Sequence, residues 1–150
     1  MSSSGPLGRW LPVIAWAGVI WTLSGSWFTG ERTGSFLLPI LAALFPRATS
    51  AQLQAMHQAI RKLAHFTEYL ILSLLLYRAL RSERRWNLRS AALALALAGL
   101  YAAADEAHQG FVPGRTAAAT DCLIDISGAA AGQGLVVARR RAARLRAEPV

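Results

Sequence analysis

The chain reads as an all-α integral membrane bundle of four transmembrane helices, with an extracellular amphipathic segment between helices 1 and 2. Three observations predict it. Of the 150 residues, 54% are hydrophobic and only 16% are charged, against about 25% charged in soluble domains. The apolar residues gather in four runs, each near the ~20 residues a helix needs to cross a bilayer core of about 30 Å. The remaining charges are mostly basic, giving +8 at pH 7, and they stand between and after those runs, where cytoplasmic flanks carry them. A pI near 11.2 raises nucleic acid as a partner. Arginines set beside apolar runs point to membrane lipids instead, and no nucleic-acid partner is expected.

The first run extends from Trp10 to about Phe28, with Trp10 and Trp27 as interfacial anchors. Its polar end, Ser24-Gly25-Ser26, lacks a small-x-small cleavage pattern, so the run is read as a retained helix and not as a signal peptide. Ser35 to Phe45 is apolar but too short to span and is punctuated by Pro39 and Pro46. It is expected to lie in the interface or to dip in as a re-entrant piece. From Ser50 the pattern turns amphipathic, with Leu53, Met56, Ile60 and Leu63 at helical spacing. Thr49 or Ser50 supplies an N-cap, and this helix is expected to run straight into the second span, about Leu63 to Leu80. His57 and Arg61 fall on its polar face and read as solvated.

The third span is about Leu88 to Ala104 and the fourth about Asp121 to Ala138. The fourth has the lowest hydropathy because it carries Asp125 and Gln133. Its Gly128 and Gly132 are four apart, which places two small residues on one face and permits close helix approach. The lone cysteine, Cys122, excludes an internal disulfide and reads as a packing residue. The chain thus divides into an N-terminal cytoplasmic tail (1–9), a transmembrane domain (10–138) and a basic cytoplasmic tail (139–150). Four spans put the termini and the middle loop on one side. That side holds eleven Lys and Arg residues against five on the other. This bias predicts a cell-membrane protein with both termini cytoplasmic.

The informative residues are the ionisable groups at the outer ends of three spans. Lys62, His65, Glu68 and Tyr69 open the second. Asp105, Glu106, His108 and Gln109 end the third, followed by a turn through Phe111-Val112-Pro113-Gly114-Arg115. Asp121 and Asp125 open the fourth. Three- and four-residue spacings put His65 with Glu68, Asp105 with His108 and Asp121 with Asp125 on shared helix faces. Charges at membrane depth are costly and usually face the bundle interior or a cavity, so the three sets are expected to meet in one pocket.

Two chemistries fit these groups. His65, Glu68, Asp121 and Asp125 can ligate a divalent metal such as zinc or manganese. Alternatively, the cluster does acid–base work, with His108 as general base, Asp105 orienting it and Glu106 beside them. Lys62, Tyr69, Gln109 and Arg115 would then bind ligand, Arg115 gripping a phosphate or carboxylate. The competing interpretation is a structural polar network that only specifies packing.

The string Lys62-Leu63-Ala64-His65-Phe66-x-Glu68-Tyr69 resembles the VanZ-like family of small bacterial membrane proteins. So does Asp105-Glu106-x-His108-Gln109-x-Phe111-Val112-Pro113-Gly114-Arg115, followed by Asp121 and the Gly128/Gly132 pair. The resemblance runs from the first span to the fourth. It implies an envelope protein of few transmembrane helices, with a family association with glycopeptide (teicoplanin) resistance. Its matching motif residues are His65, Tyr69, Asp105, Glu106, His108, Gln109, Arg115 and Asp121. Asp125 departs from the pattern, where Asn is commoner. The expected function is binding or modification of an anionic lipid-linked or cell-wall-related ligand. If the protein is an enzyme, hydrolysis at a lipid phosphate or acyl group is the expected reaction. The alternative is a non-catalytic membrane factor whose polar cluster is internal scaffold.

Overall fold

The computed structural model describes residues 6–81, 87–112 and 119–146, and these fold into helices in the order α1 (Pro6–Leu23), a 3-10 turn (Ser26–Phe28), α2 (Gly30–Leu44), α3 (Ser50–Leu80), α4 (Leu88–Gln109) and α5 (Ala119–Leu145). Among the described residues there is no strand. Helices α3, α4 and α5 are each long and apolar enough to cross a bilayer. A bent pair, α1 with the segment from Ser26 to Leu44, makes the fourth candidate.

Helix α1 stops earlier than expected, at Leu23 and not near Phe28. Ser24 N–H still bonds the Ile20 carbonyl at 2.8 Å, but Gly25 N–H turns back to the Thr22 carbonyl at 3.1 Å. Glycine and serine favour such local alternatives to the helical ladder. After a 57° bend the chain resumes as α2, whose first turn is capped by Thr29 accepting from Arg32 N–H at 3.3 Å. The 15 residues of α2 extend only about 22 Å, too short for a bilayer core. It packs instead on the 3-10 turn and on α3.

Helix α3 begins in a capping box, in which Thr49 and Gln52 bond each other reciprocally. It then continues unbroken for 31 residues, about 46 Å, well beyond a ~30 Å core. As expected, the amphipathic stretch runs directly into the span. Its first turns stand past the apolar part, against α2.

The bundle is tightest where α5 crosses α3. A Cβ on Gly128 would lie 2.2 Å from the Phe66 carbonyl oxygen, and one on Gly132 would lie 2.8 Å from that of Leu70. No side chain larger than hydrogen fits there, so the expected close approach is formed. Next to this seam Gln133 donates to the Ser73 carbonyl at 3.1 Å and hydroxyl at 2.7 Å. Helix α4 contributes Ala91, Ala94, Ala98 and Ala102, all buried at helical spacing, against Tyr69, Leu72 and Leu76 of α3. Leu11, Ile14, Leu100 and Leu123 point outward, as lipid-facing side chains do.

At the end of the bundle nearest the termini, Arg9 donates to the carbonyls of Ala79 (2.7 Å) and Arg81. These otherwise orphaned acceptors close the end of α3. The opposite end, where α1 and α4 finish and α5 begins, is termed the distal end below.

Gly128→Ala should therefore cost about 1–3 kcal/mol through overpacking. Gly134→Ala, where an added Cβ meets nothing within 4 Å, should be neutral or gain up to ~1 kcal/mol in helix propensity. Unfolding of both variants in the same detergent measures the difference.

Candidate functional site

The distal end gathers polar side chains from every helix. Asp105 of α4 is fully buried and accepts two hydrogen bonds on one oxygen, from Ser24 Oγ at 2.7 Å and from Gln109 Nε2 at 3.0 Å. Its other oxygen is buried without a hydrogen-bond partner. Asp125 of α5, 1% exposed, meets His65 Nδ1 of α3 at 3.3 Å. Tyr69 lies fully buried within electrostatic range of both carboxylates, its hydroxyl without a hydrogen-bond partner. Glu106 is half-buried, with one oxygen fully enclosed. The Gly128 contact brings α5 onto α3 and so sets Asp125 opposite His65.

Not every expected grouping forms. Asp105 and His108 are not hydrogen-bonded. Position i+4 lies about 40° round a helix from position i and i+3 about 60° on its other side, so Asp105 turns to Gln109. His108 faces α1, where it stacks on Trp21 with ring centroids 4.1 Å apart. Lys62 is exposed, away from the buried carboxylates, and Asp121 is half-buried. Arg115 lies outside the described residues. Among the described residues, no three His, Cys, Asp or Glu side chains converge as a metal-holding group. Of the donors His65, Glu68, Asp121 and Asp125, His65 and Asp125 face each other as an acid–base pair.

A cavity of about 200 Å³ opens beside this pair, lined by Ser24, Phe28, Thr33, Arg61, His65 and Glu68 among others. Arg61 and His65 share a face of α3 because they are four residues apart. Arg61 Nη1 donates to Thr33 Oγ1 at 3.2 Å and to the Phe28 carbonyl at 3.4 Å. Ser24, Thr33 and Arg61 were not anticipated as site residues. Their signal is faint, a polar break after the first run and an arginine one turn from His65.

The expectation of a solvated His57 is also corrected. It is 2% exposed, because α2 lies over this face of α3, and Gly34 leaves room for its ring at 3.4 Å from a hypothetical Cβ. His57 Nε2 sits 3.2 Å from Thr33 Oγ1, whose own proton goes to the Thr29 carbonyl at 2.9 Å. The hydroxyl therefore accepts from Nε2–H, which leaves Nδ1 a bare acceptor, buried and without a partner. Burial and the nearby Arg61 charge lower the His57 pKa from its ordinary 6.5.

These features define a small multi-pass membrane protein with a polar end. The chain belongs to the VanZ/LLP1 family, whose model matches residues 10–140, from α1 into the last turns of α5. Neither the curated proteins nor the solved structures compared with it returned a match.

Two outcomes follow from this geometry. A neutral, buried His57 binds fewer protons folded than unfolded, so its contribution to stability is complete above pH 6.5 and is lost as pH falls through its lower folded pKa. Protection factors of the α2 amides, exchange rates corrected for their intrinsic pH dependence, should fall on acidification from about pH 7.5 to about pH 5, and His57→Gln should flatten that dependence. Ser24→Ala, which removes a donor from a buried carboxylate, should lower stability by about 1–3 kcal/mol, read by thermal unfolding in detergent.

Proposed function

We propose that the distal end faces the cell exterior and that its cavity binds the anionic headgroup of an amphiphile, a lipid-linked or cell-wall-related phosphate being the class that fits best. One observation carries this reading: Arg61 and His65 share one face of α3 and line a cavity with the hydroxyls of Ser24 and Thr33. The Arg61 guanidinium, one turn from His65, suits a tetrahedral anion, and the Ser24 and Thr33 hydroxyls, whose protons go to Asp105 and the Thr29 carbonyl, shape the wall beside it. The cavity lies where the apolar part of α3 gives way to its polar turns, the level at which a lipid phosphate sits. The basic excess at the other end of the bundle supports the orientation, with both termini cytoplasmic. Such a ligand is compatible with the glycopeptide-resistance association that the resemblance implies.

Turnover of that ligand would run through His65. Asp125 orients its imidazole in the arrangement that general acid–base catalysis uses, whereas His108 is engaged with Trp21. The competing reading is a membrane factor with an internal scaffold. In its favour, the Ser24–Asp105–Gln109 bonds join α1 to α4.

The two readings separate on binding of a polyprenyl phosphate to purified protein in detergent, with the polyprenyl alcohol as reference. The binding reading expects preference for the phosphate, lost about 10–100-fold in Arg61→Gln and His65→Ala, the effect of a missing charge-assisted bond. The unfolding temperature of Arg61→Gln should stay close to that of the parent protein, whereas His65→Ala leaves Asp125 buried without its partner and should lower it. Equal affinity for phosphate and alcohol would refute binding, and a large loss of stability in both variants would favour scaffold.

A further inference from the structure

A second groove, of about 520 Å³, lies on the other side of the Thr33–His57 bond, between α2 and the first turns of α3. Its walls carry Glu31, Ser35, Gln54, His57 and Gln58, and Gly30 and Gly34 form part of its floor. The chemistry is unlike that of the first cavity. No Lys or Arg lines it, so nothing there attracts an anion. It is rich in acceptors: a carboxylate, two amide oxygens and the buried, unpartnered Nδ1 of His57. Ser35 spends its proton on the Arg32 carbonyl at 2.8 Å and offers lone pairs. A ligand matching this wall brings several hydroxyl or N–H donors and no negative charge, and the two glutamine amides return donors to its acceptors. The volume falls within the range of small-molecule sites.

The order of groups along α3 adds direction. His65, Arg61, His57 with Gln58, and Gln54 succeed one another on neighbouring turns, rising about 16 Å from the apolar stretch. An amphiphile laid along this ladder would keep its tail beside Leu23 and the exposed Phe28, its anion at His65 and Arg61, and a neutral headgroup beyond.

We propose that the groove between α2 and α3 is a subsite for a neutral polyhydroxylated or amide-bearing headgroup, of the sugar class, attached to the anion held at Arg61. This inference rests on the anion-binding reading above, and its test is arranged to fail separately. Affinities of the full-length protein in detergent are measured for four probes: a polyprenyl phosphate, a polyprenyl phosphosugar, the corresponding free sugar phosphate and the free sugar. The phosphosugar lipid should bind about tenfold more tightly than the phosphate lipid. Gln54→Ala/Gln58→Ala should abolish that difference while leaving the phosphate lipid unaffected. Both glutamines are exposed, and neither makes a side-chain hydrogen bond among the described residues, so the double variant should fold. Free sugar phosphate approaching the affinity of the phosphosugar lipid would assign the groove to a soluble ligand and overturn the lipid-linked assignment, as would free sugar binding alone. Equal affinity of the two lipids, or a difference that survives the double substitution, refutes the subsite and leaves the anion site standing. Failure of both lipids to bind removes the anion site and the subsite together.

Discussion

The backbone-to-backbone contact of α5 with α3 is the constraint from which the rest follows. A helix pair can approach this closely only if one member presents bare Cα positions, which Gly128 and Gly132 do. With the spacing set there, every side chain on the facing stripe is placed. Asp125 lies one turn before Gly128 and meets His65. Gln133, next to Gly132, meets Ser73. In a lipid environment apolar side chains gain little by leaving the solvent for one another, so packing and interhelical hydrogen bonds decide the arrangement. The alanine ladder of α4 follows the same logic, small residues letting a third helix close on the pair.

Around this seam the polar residues divide by depth. In the middle of the bundle Gln133 Nε2 bonds the Ser73 carbonyl and hydroxyl, and its Oε1 is buried without a hydrogen-bond partner. At the distal end three more such atoms gather: one oxygen of Asp105, the Tyr69 hydroxyl and His57 Nδ1 are buried without hydrogen-bond partners. Buried polar atoms usually find partners, and a bundle built only for stability would have no use for so many that do not. Their concentration beside two cavities separates this end from the scaffold-like middle.

Much of the fold was legible in the chain because membrane insertion leaves long, simple signals. The spans of α3, α4 and α5, the Thr49 cap, the unbroken passage from amphipathic helix into span and the glycine seam all follow from local composition and spacing. The gathering of His65, Asp105, Asp125 and Tyr69 at one end followed from their common depth. Pairings were harder. That Asp105 takes Ser24, 81 residues away, and that Trp21 claims His108, depend on where α1 lies against α4, which no local pattern encodes. His57 looked solvated because the element covering it, α2, is a short helix interrupted by Gly34 and Pro39 and preceded by a break. Its shortness and its internal proline concealed both the burial of His57 and the two cavities it divides.

The fastenings of α1 have a temporal consequence. Arg9 bonds the end of α3, Trp16 bonds the Glu68 carbonyl, Tyr101 bonds the Ala17 carbonyl and Ser24 bonds Asp105, at separations of 52 to 84 residues. Made from its N-terminus, the chain lays α1 into the bilayer first, yet every one of these partners is synthesised long afterwards. The first helix to arrive is thus secured only when α3 and α4 have followed it. During that interval Arg9 and the broken end at Ser24 must be held by lipid headgroups and water, and the distal cluster acquires its shape only once α5 has brought Asp125 opposite His65.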